Sequence, residues 1–311
     1  MAYVALPFGD LIETDELTRF EANSPCARKR IYTPKVTLKG FLSQVVGRAG
    51  SCQEAVNVIH LESTNALDES CSLSTSSYTR ARMRLSLAAV KNLAKEVHQS
   101  ISENIDESWL WKNRRVSILD GSSLTMADTP ENIAAFPKRS SHKEYSGYPL
   151  ARFTLVGSLE TGAIIDFNMA PWKGKGTGEI PLGAALLDSI DSGNVLIADA
   201  MFASYSFFGL CRIRNIDLLV QQKSNRKLTI IEEKKIDNED RIITVKKPRL
   251  PHTGWIDQKE YDKLPDTIEL RETTITIERN GFRTKKVKLL STLVDSNKYI
   301  KSDLGELLLS R

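Results

Sequence analysis

Apolar and polar positions follow two different periods along this chain. Apolar residues recur at helical spacing over 38–46 and 53–61, with Gly47 and Gly50 punctuating between them. Residues 63–77 are mostly polar and loop-like. The stretch 78–101 (YTRARMRLSLAAVKNLAKEVHQSI) predicts helix in one or two pieces. Residues 1–108 are therefore expected to form a helical N-terminal region.

The period then changes. Residues 114–120 (RRVSILD) predict a short strand ending on Asp120, followed by Gly121. Asp128, Thr129, Pro130 and Glu131 form a helix-start signature with Pro in the first turn. Residues 152–159 and 163–170 predict two strands joined by Glu160, Thr161 and Gly162. Leu182, Leu186, Leu187 and Ile190 predict a helix over 179–190, with Pro181 near its start and Gly193 just past its end. An apolar strand over 195–198 delivers Asp199, and a helix (202–214) and a strand (216–221) follow. Residues 228–290 read as short strands with turns (LTIIEE, RIITVKK, TIELRETTITIE, FRTKKVKLLSTLV), with a loop and a helical turn in 252–266. The final SDLGELLLSR opens as a helix, with Asp303 as N-cap, Glu306 as its capping-box partner, and Leu304, Leu307 and Leu308 on one face. Three antiparallel strands followed by crossover helices and parallel strands make the expected class α/β (α+β mixed), a mixed sheet with flanking helices.

Composition narrows this only modestly. With 311 residues, 41% hydrophobic and 26% charged, the chain is expected to be a globular protein of two or three units. No run approaches the roughly 18 apolar residues of a membrane span. The N-terminal MAYVALPFGDLIETDE has no basic start and turns acidic quickly, so no secretory leader and no membrane partner are expected. Cys26, Cys52, Cys71 and Cys211 are scattered, which predicts buried free thiols in a reducing compartment. His60, His98, His142 and His252 are equally dispersed and suggest no zinc site.

Charge is more informative. Between Lys223 and Lys288 there are 17 Lys and Arg against 12 Asp and Glu, while the remainder carries 26 against 27. The whole surplus of +4 thus arises in one segment, either a solvated strand-rich face or a surface that meets phosphate.

A single Asp at a strand end before Gly or Ala is ordinarily a turn or cap residue. Two of them in this strand order suit hard divalent cations, which take oxygen ligands. Paired ions about 4 Å apart activate a nucleophile and stabilise the leaving oxygen in phosphoryl transfer. Two other motifs carry less. GKGTGE (174–179) lacks the phosphate-loop spacing, because Lys175 is followed by Gly176. ILDGSS is similar to an aspartyl-phosphatase nucleophile loop, but Ile118 stands where the first Asp is needed.

Nearly the whole chain resembles bacterial insertion-sequence DDE transposases of the insertion-sequence-four type. The resemblance rests on DGSSLTMADTPENIAAFP (120–137), YPLARFTLVGSLETGAIID (148–166), WKGKGTGEIPLGAALLDSI (172–190), VLIADAMFASYSF (195–207) and LRETTITIERNGFRTKKVKLLSTLVD (270–295). The stretch 32–59 also looks like the family's helical N-terminal region. The resemblance implies a ribonuclease-H-like mixed sheet interrupted by a β-rich insertion. The resulting divisions are 1–108 for the helical DNA-binding region, 109–222 for the first part of the core, 223–290 for the insertion, and 291–311 for the return to the core. In that arrangement the first and fourth strands are neighbours, which would set Asp120 beside Asp199.

The resemblance further implies Mg2+ or Mn2+ as cofactor, with Asp120 and Asp199 as catalytic metal ligands. DNA, as transposon ends and target, is the implied partner of a homodimer in the bacterial cytoplasm, at the nucleoid. Where the family often has Arg or Gly after the second Asp, this chain has Ala200. The family's C-terminal helix carries Tyr, two residues, Arg, three residues, Glu, six residues, Lys. Arg311 matches the Arg, and Leu308 stands at the Tyr position. The catalytic Glu is then expected about four residues past Arg311, so the chain is expected to be cut within that helix and to be catalytically weak or dead. Glu306 lies about nine residues, or roughly 13 Å of helix rise, too early to replace it. Glu179 reads as a dipole or capping carboxylate and Asp166 as a turn residue. Candidate DNA contacts are Arg80, Arg82, Arg84, Lys173, Lys175, Lys246, Lys247, Arg249, Lys285, Lys286, Lys288 and Arg311. Two other expectations are a DNA-binding remnant that inhibits a full-length transposase, and a metal-dependent nuclease or phosphatase on the same fold.

Overall fold

The computed structural model describes residues 15–24, 31–46, 50–66, 73–138, 147–222, 228–249, 254–277 and 285–311. Cys26, Cys71, His142 and His252 lie outside the described residues. The chain divides into two compact units, Met1–Ser100 and Ile101–Arg311.

The first unit holds α1 (Asp15–Ala22), α2 (Pro34–Val46), α3 (Cys52–Ala66), α4 (Thr75–Met83) and most of α5 (Leu87–Glu103). The pattern over 78–101 is two helices, broken at residues 84–86, and α4 is capped by the Ser74 side chain. Two small cores hold the unit together. Leu17, Phe20, Leu38 and Ala89 form one, and Ala55, Val56, Ile59 and Tyr78 the other. Gly40 permits the second, because a Cβ there would stand 2.5 Å from Ile59 Cδ1.

The second unit is built on one nine-stranded mixed sheet in the order β3-β2-β1-β4-β5-β9-β8-β7-β6. Its first strands are β1 (Val116–Thr125), β2 (Leu150–Ser158) and β3 (Ile164–Pro171), which are antiparallel in sequence. Gly162, at φ 68°, turns the chain between β2 and β3. β4 (Val195–Ala198) runs parallel to β1, and β5 (Asp217–Gln221) runs parallel to β4. Each parallel strand is reached through helix: α7 (Glu179–Ala184) before β4 and α8 (Tyr205–Ile213) before β5. All four residues of β4 are buried, as expected of a strand covered on both faces. The short α6 (Pro130–Ala135), capped by Thr129 with Pro130 at its start, sits between β1 and β2.

The region after Gln221 continues this sheet. β9 (Lys285–Ser291) pairs antiparallel with β5. β8 (Thr267–Ile277), β7 (Asp240–Lys246) and β6 (Ile230–Asp237) follow in order outward. α9 (Gln258–Asp262) is the short helical turn expected in that segment. The result is the mixed α/β, ribonuclease-H-like architecture the sequence leads one to expect.

Side-chain alternation gives each face its own core. Leu119, Leu196, Ala198, Leu218 and Val220 face one way, against Leu186, Leu187, Phe202, Phe207 and Phe208. Val116, Val195, Ile197 and Leu219 face the other way, against Leu304 and Leu307 of α10 (Lys301–Leu309).

Several elements differ from the expected bounds. The helix over 179–190 is α7 plus a separate 3-10 turn at Leu187–Ser189. The helix over 202–214 begins only at Tyr205, after a 3-10 turn at Ala200–Phe202. α10 starts one turn earlier than read, so Asp303 is its third residue and accepts from the Ile300 N–H at 3.0 Å. Lys112 also pairs with Asp303 at 2.6 Å, which pins the start of the helix.

A buried ion pair ties the outer strands to that helix. Arg271, 1% exposed, donates to Asp240 Oδ1 at 2.9 Å and Oδ2 at 2.5 Å. Its remaining amine donates to the carbonyl of Tyr299, just before α10. Asp240→Ala would strand the guanidinium, at an expected cost of about 3–5 kcal/mol in urea denaturation. Lys286→Ala, which breaks an exposed pair, should change the midpoint little. Gly183 lets α7 lie against the Phe202 ring; a Cβ there would fall 2.6 Å from Phe202 Cε1. Gly183→Ala is expected to cost about 1–3 kcal/mol by overpacking in the same assay, despite the helix preference of Ala.

Candidate active site

The parallel pairing of β1 with β4 builds the site. Val116, Ser117, Ile118 and Leu119 lie opposite Val195, Leu196, Ile197 and Ala198. One step further, Asp120 follows Leu119 and Asp199 follows Ala198. Val116, Ile118 and Asp120 alternate onto the same face as Val195, Ile197 and Asp199. The two carboxylates therefore share one face, the one that α10 covers lower down.

The two strands part at this level. β1 does not end on Asp120 but runs on to Thr125, paired there only with β2, and its residues beyond Asp120 are mostly exposed. Residues 121–125 carry no apolar pattern because they have no buried face. β4 stops because Asp199 becomes the N-cap of the 3-10 turn, its Oδ2 accepting from the Met201 N–H at 3.4 Å. The parallel pairing ends here, and the carboxyl ends of parallel strands are the usual place for ligands in open α/β sheets. The Asp120 and Asp199 side chains are 56% and 45% exposed, so both reach solvent.

Arg311 completes the local electrostatics. Its Nη2 donates to Asp120 Oδ1 at 2.8 Å, and its Nη1 stands 3.9 Å from Asp199 Oδ1. Asp120 Oδ1 also accepts from the Gly121 N–H at 2.9 Å.

The other carboxylates weighed from sequence lie elsewhere. Glu179 faces Gly121, where a Cβ would meet its Cγ at 2.9 Å, and so sits on the opposite face of β1 from Asp120. Asp166 is buried within β3, accepting from Ser189 Oγ at 2.7 Å. Glu306 is on the exposed side of α10. Among the described residues, no group of three or more His, Cys, Asp and Glu is placed to hold a metal.

Arg80, Arg84, Lys173, Lys175, Lys246, Arg249, Lys286 and Lys288 are exposed. Several of the basic residues make contacts within the protein. Arg82 stacks over the Phe41 ring at 4.5 Å and donates to Gln44 Oε1 at 3.0 Å. Lys247 donates to the carbonyls of Asp262 and Leu264, at 3.1 and 2.8 Å. Lys286 pairs with Glu239 at 2.8 Å and Lys288 with Glu272 at 3.4 Å. The ammonium of Lys286 holds the Glu239 carboxyl below its ordinary range. Lys285 opens β9, and its side chain lies outside the described residues. Cross-strand acids thus pair with some of the basic residues of 223–288, while the net surplus, which already counts those acids, stands. Sequence reading missed these partners because strand register, not spacing, brings them together.

Cys52 is a free, half-buried thiol rather than the buried one expected. Cys211 is a free, fully buried thiol, and burial pushes it well above the ordinary thiol range. No helix of the described residues is long and apolar enough to cross a membrane.

No curated protein matches the chain significantly. A family model described as "Transposase DDE domain" matches residues 111–293, a span that begins just before β1, contains Asp120 and Asp199, and ends after β9. Since that is more than half of the 311 residues, the chain belongs to the transposase DDE domain family.

Proposed function

We propose that this chain is a transposase of the insertion-sequence-four type, acting at transposon ends through Asp120 and Asp199. The reading rests on one observation above all, the parallel register that sets these residues side by side on one face. Two half-exposed carboxylates at the end of the β1–β4 pairing are hard oxygen donors and fit Mg2+ or Mn2+. Asp120 and Asp199 would hold the cation, which when bound supplies Lewis acidity and charge neutralisation at the phosphorus under attack. The chain's own residues bring the phosphodiester to this point. Lys173 and Lys175, exposed on the loop before α7, are suited to backbone phosphate, and so are Lys246 and Arg249 further out. Arg80 and Arg84 are suited to the transposon end. The chemistry is hydrolysis at that end, followed by attack of the freed 3′-hydroxyl on target DNA. Two ends must be joined, which calls for a homodimer on DNA, working at the bacterial nucleoid.

Residues 1–311 carry two of the three carboxylates in the family pattern. A polypeptide of these residues alone is expected to cleave slowly, because two carboxylates ligate the cations incompletely and orient the attacking water poorly. The Arg311 guanidinium held on Asp120 favours a second reading, a DNA-binding protein that occupies ends or joins mixed dimers without cutting.

Two measurements test this. In the presence of Fe2+, ascorbate and peroxide, the backbone should be cut near Asp120 and Asp199, and Asp120→Asn or Asp199→Asn should abolish those cuts. Cuts elsewhere, indifferent to both substitutions, would remove the metal assignment. With end-bearing DNA and Mg2+, turnover by residues 1–311 should be at least about 100-fold below that of a chain extended to include the helical Glu, on the scale of losing a positioned catalytic group. Equal turnover would refute the need for a third carboxylate.

A further inference from the structure

Arg311 stands where the proposed cation would have to bind. Its guanidinium donates to Asp120 Oδ1 at 2.8 Å and lies 3.9 Å from Asp199 Oδ1, so it spans both carboxylates. It is more enclosed than either partner, with its side chain 25% exposed against 56% and 45%. It also arrives on an anchored element. Leu304 and Leu307 are buried in the sheet-face core, Lys112 holds Asp303, and Arg271 holds the carbonyl of Tyr299. The last turn is closed by Ser310, whose N–H donates to the Glu306 carbonyl at 3.0 Å and whose Oγ donates to the Leu307 carbonyl at 2.7 Å.

Resting on the reading of Asp120 and Asp199 as cation ligands, we propose that Arg311 is an internal competitor for the cation, a guanidinium latch that metal must displace. Two carboxylates on adjacent strands repel, and a guanidinium that never deprotonates relieves this without metal. Asp120 and Asp199 would hold a divalent ion through the same carboxylates that now face Arg311. Guanidinium and ion cannot both occupy the space between them, since like charges at that range repel. Each therefore excludes the other. Displacement leaves Arg311 beside the two carboxylates with its planar fork released from them, and such a fork can grip a phosphate by two parallel hydrogen bonds. Cation loading and phosphate capture by Arg311 are thereby coupled: until the cation enters, this arginine is occupied with the protein's own acids.

The test is a Mn2+ titration of the 311-residue chain at low ionic strength, with free Mn2+ read by its electron paramagnetic resonance signal. Arg311→Gln is expected to bind Mn2+ roughly threefold to tenfold tighter than the unaltered chain, the scale of one partly exposed ion-pair network. Arg311→Lys, which keeps the charge, should fall between the two. Lys301→Gln makes the same charge change at the far end of α10 and should leave the affinity as it was. Equal or weaker binding by Arg311→Gln, or an equal gain from Lys301→Gln, overturns the latch. Asp120→Asn and Asp199→Asn should lose Mn2+ binding. If they retain it, the metal-ligand reading fails and the latch falls with it, whereas loss in those variants with no gain in Arg311→Gln sinks the latch alone.

Discussion

The pairing of β1 with β4 is the constraint on which the second unit depends. It is a parallel pairing between segments 79 residues apart in sequence, such as Val116 with Val195. Neither strand makes sense without it. Val195, Leu196, Ile197 and Ala198 are too apolar for an edge, and the first half of β1 is buried on both faces only because β4 lies beside it. Because side chains alternate strictly, a slip of one residue would send one aspartate to the α10 face and the other into the Phe202 core. Core packing and site assembly are thus the same requirement: the register that buries Leu119 and Ala198 also juxtaposes the acids.

What could be read from the sequence follows from what burial writes into it. β4 was legible because four apolar residues between Gly193 and Asp199 admit few other structures. β2 and β3 were legible through their β-rich runs and the Gly162 turn. Where burial is weak, the signal failed. The second half of β1 is polar because β2 alone supports it. α1 does carry a helical period, with Leu17 and Phe20 on one face, but over eight residues it is too short to stand out as a separate element. In the 179–190 segment, the apolar residues are buried as expected, yet a helix and a 3-10 turn divide them. Burial positions are visible in a sequence, whereas the hydrogen-bonding pattern that achieves them is less so.

The site divides the same way. Candidate ligands could be named from residue type and strand position, but their adjacency came only from the resemblance, because spacing does not determine which strands become neighbours. The charges of 223–288 show the same division. Composition counts them but cannot pair them, and Glu239 and Glu272 meet Lys286 and Lys288 only through the β7–β8–β9 ladder.

The seam between β5 and β9 has a consequence for how this polypeptide tolerates rearrangement. Leu219, Val220 and Gln221 bond to Ser291, Leu290 and Leu289, so the later strands seal the flank of the parallel core. Excising them would leave β5 as a bare margin of apolar residues with unanswered amides, the kind of edge that recruits other chains into aggregates. What looks in one dimension like a removable cassette is, in three, a protective hem, and shortening it safely would require a new covering for β5.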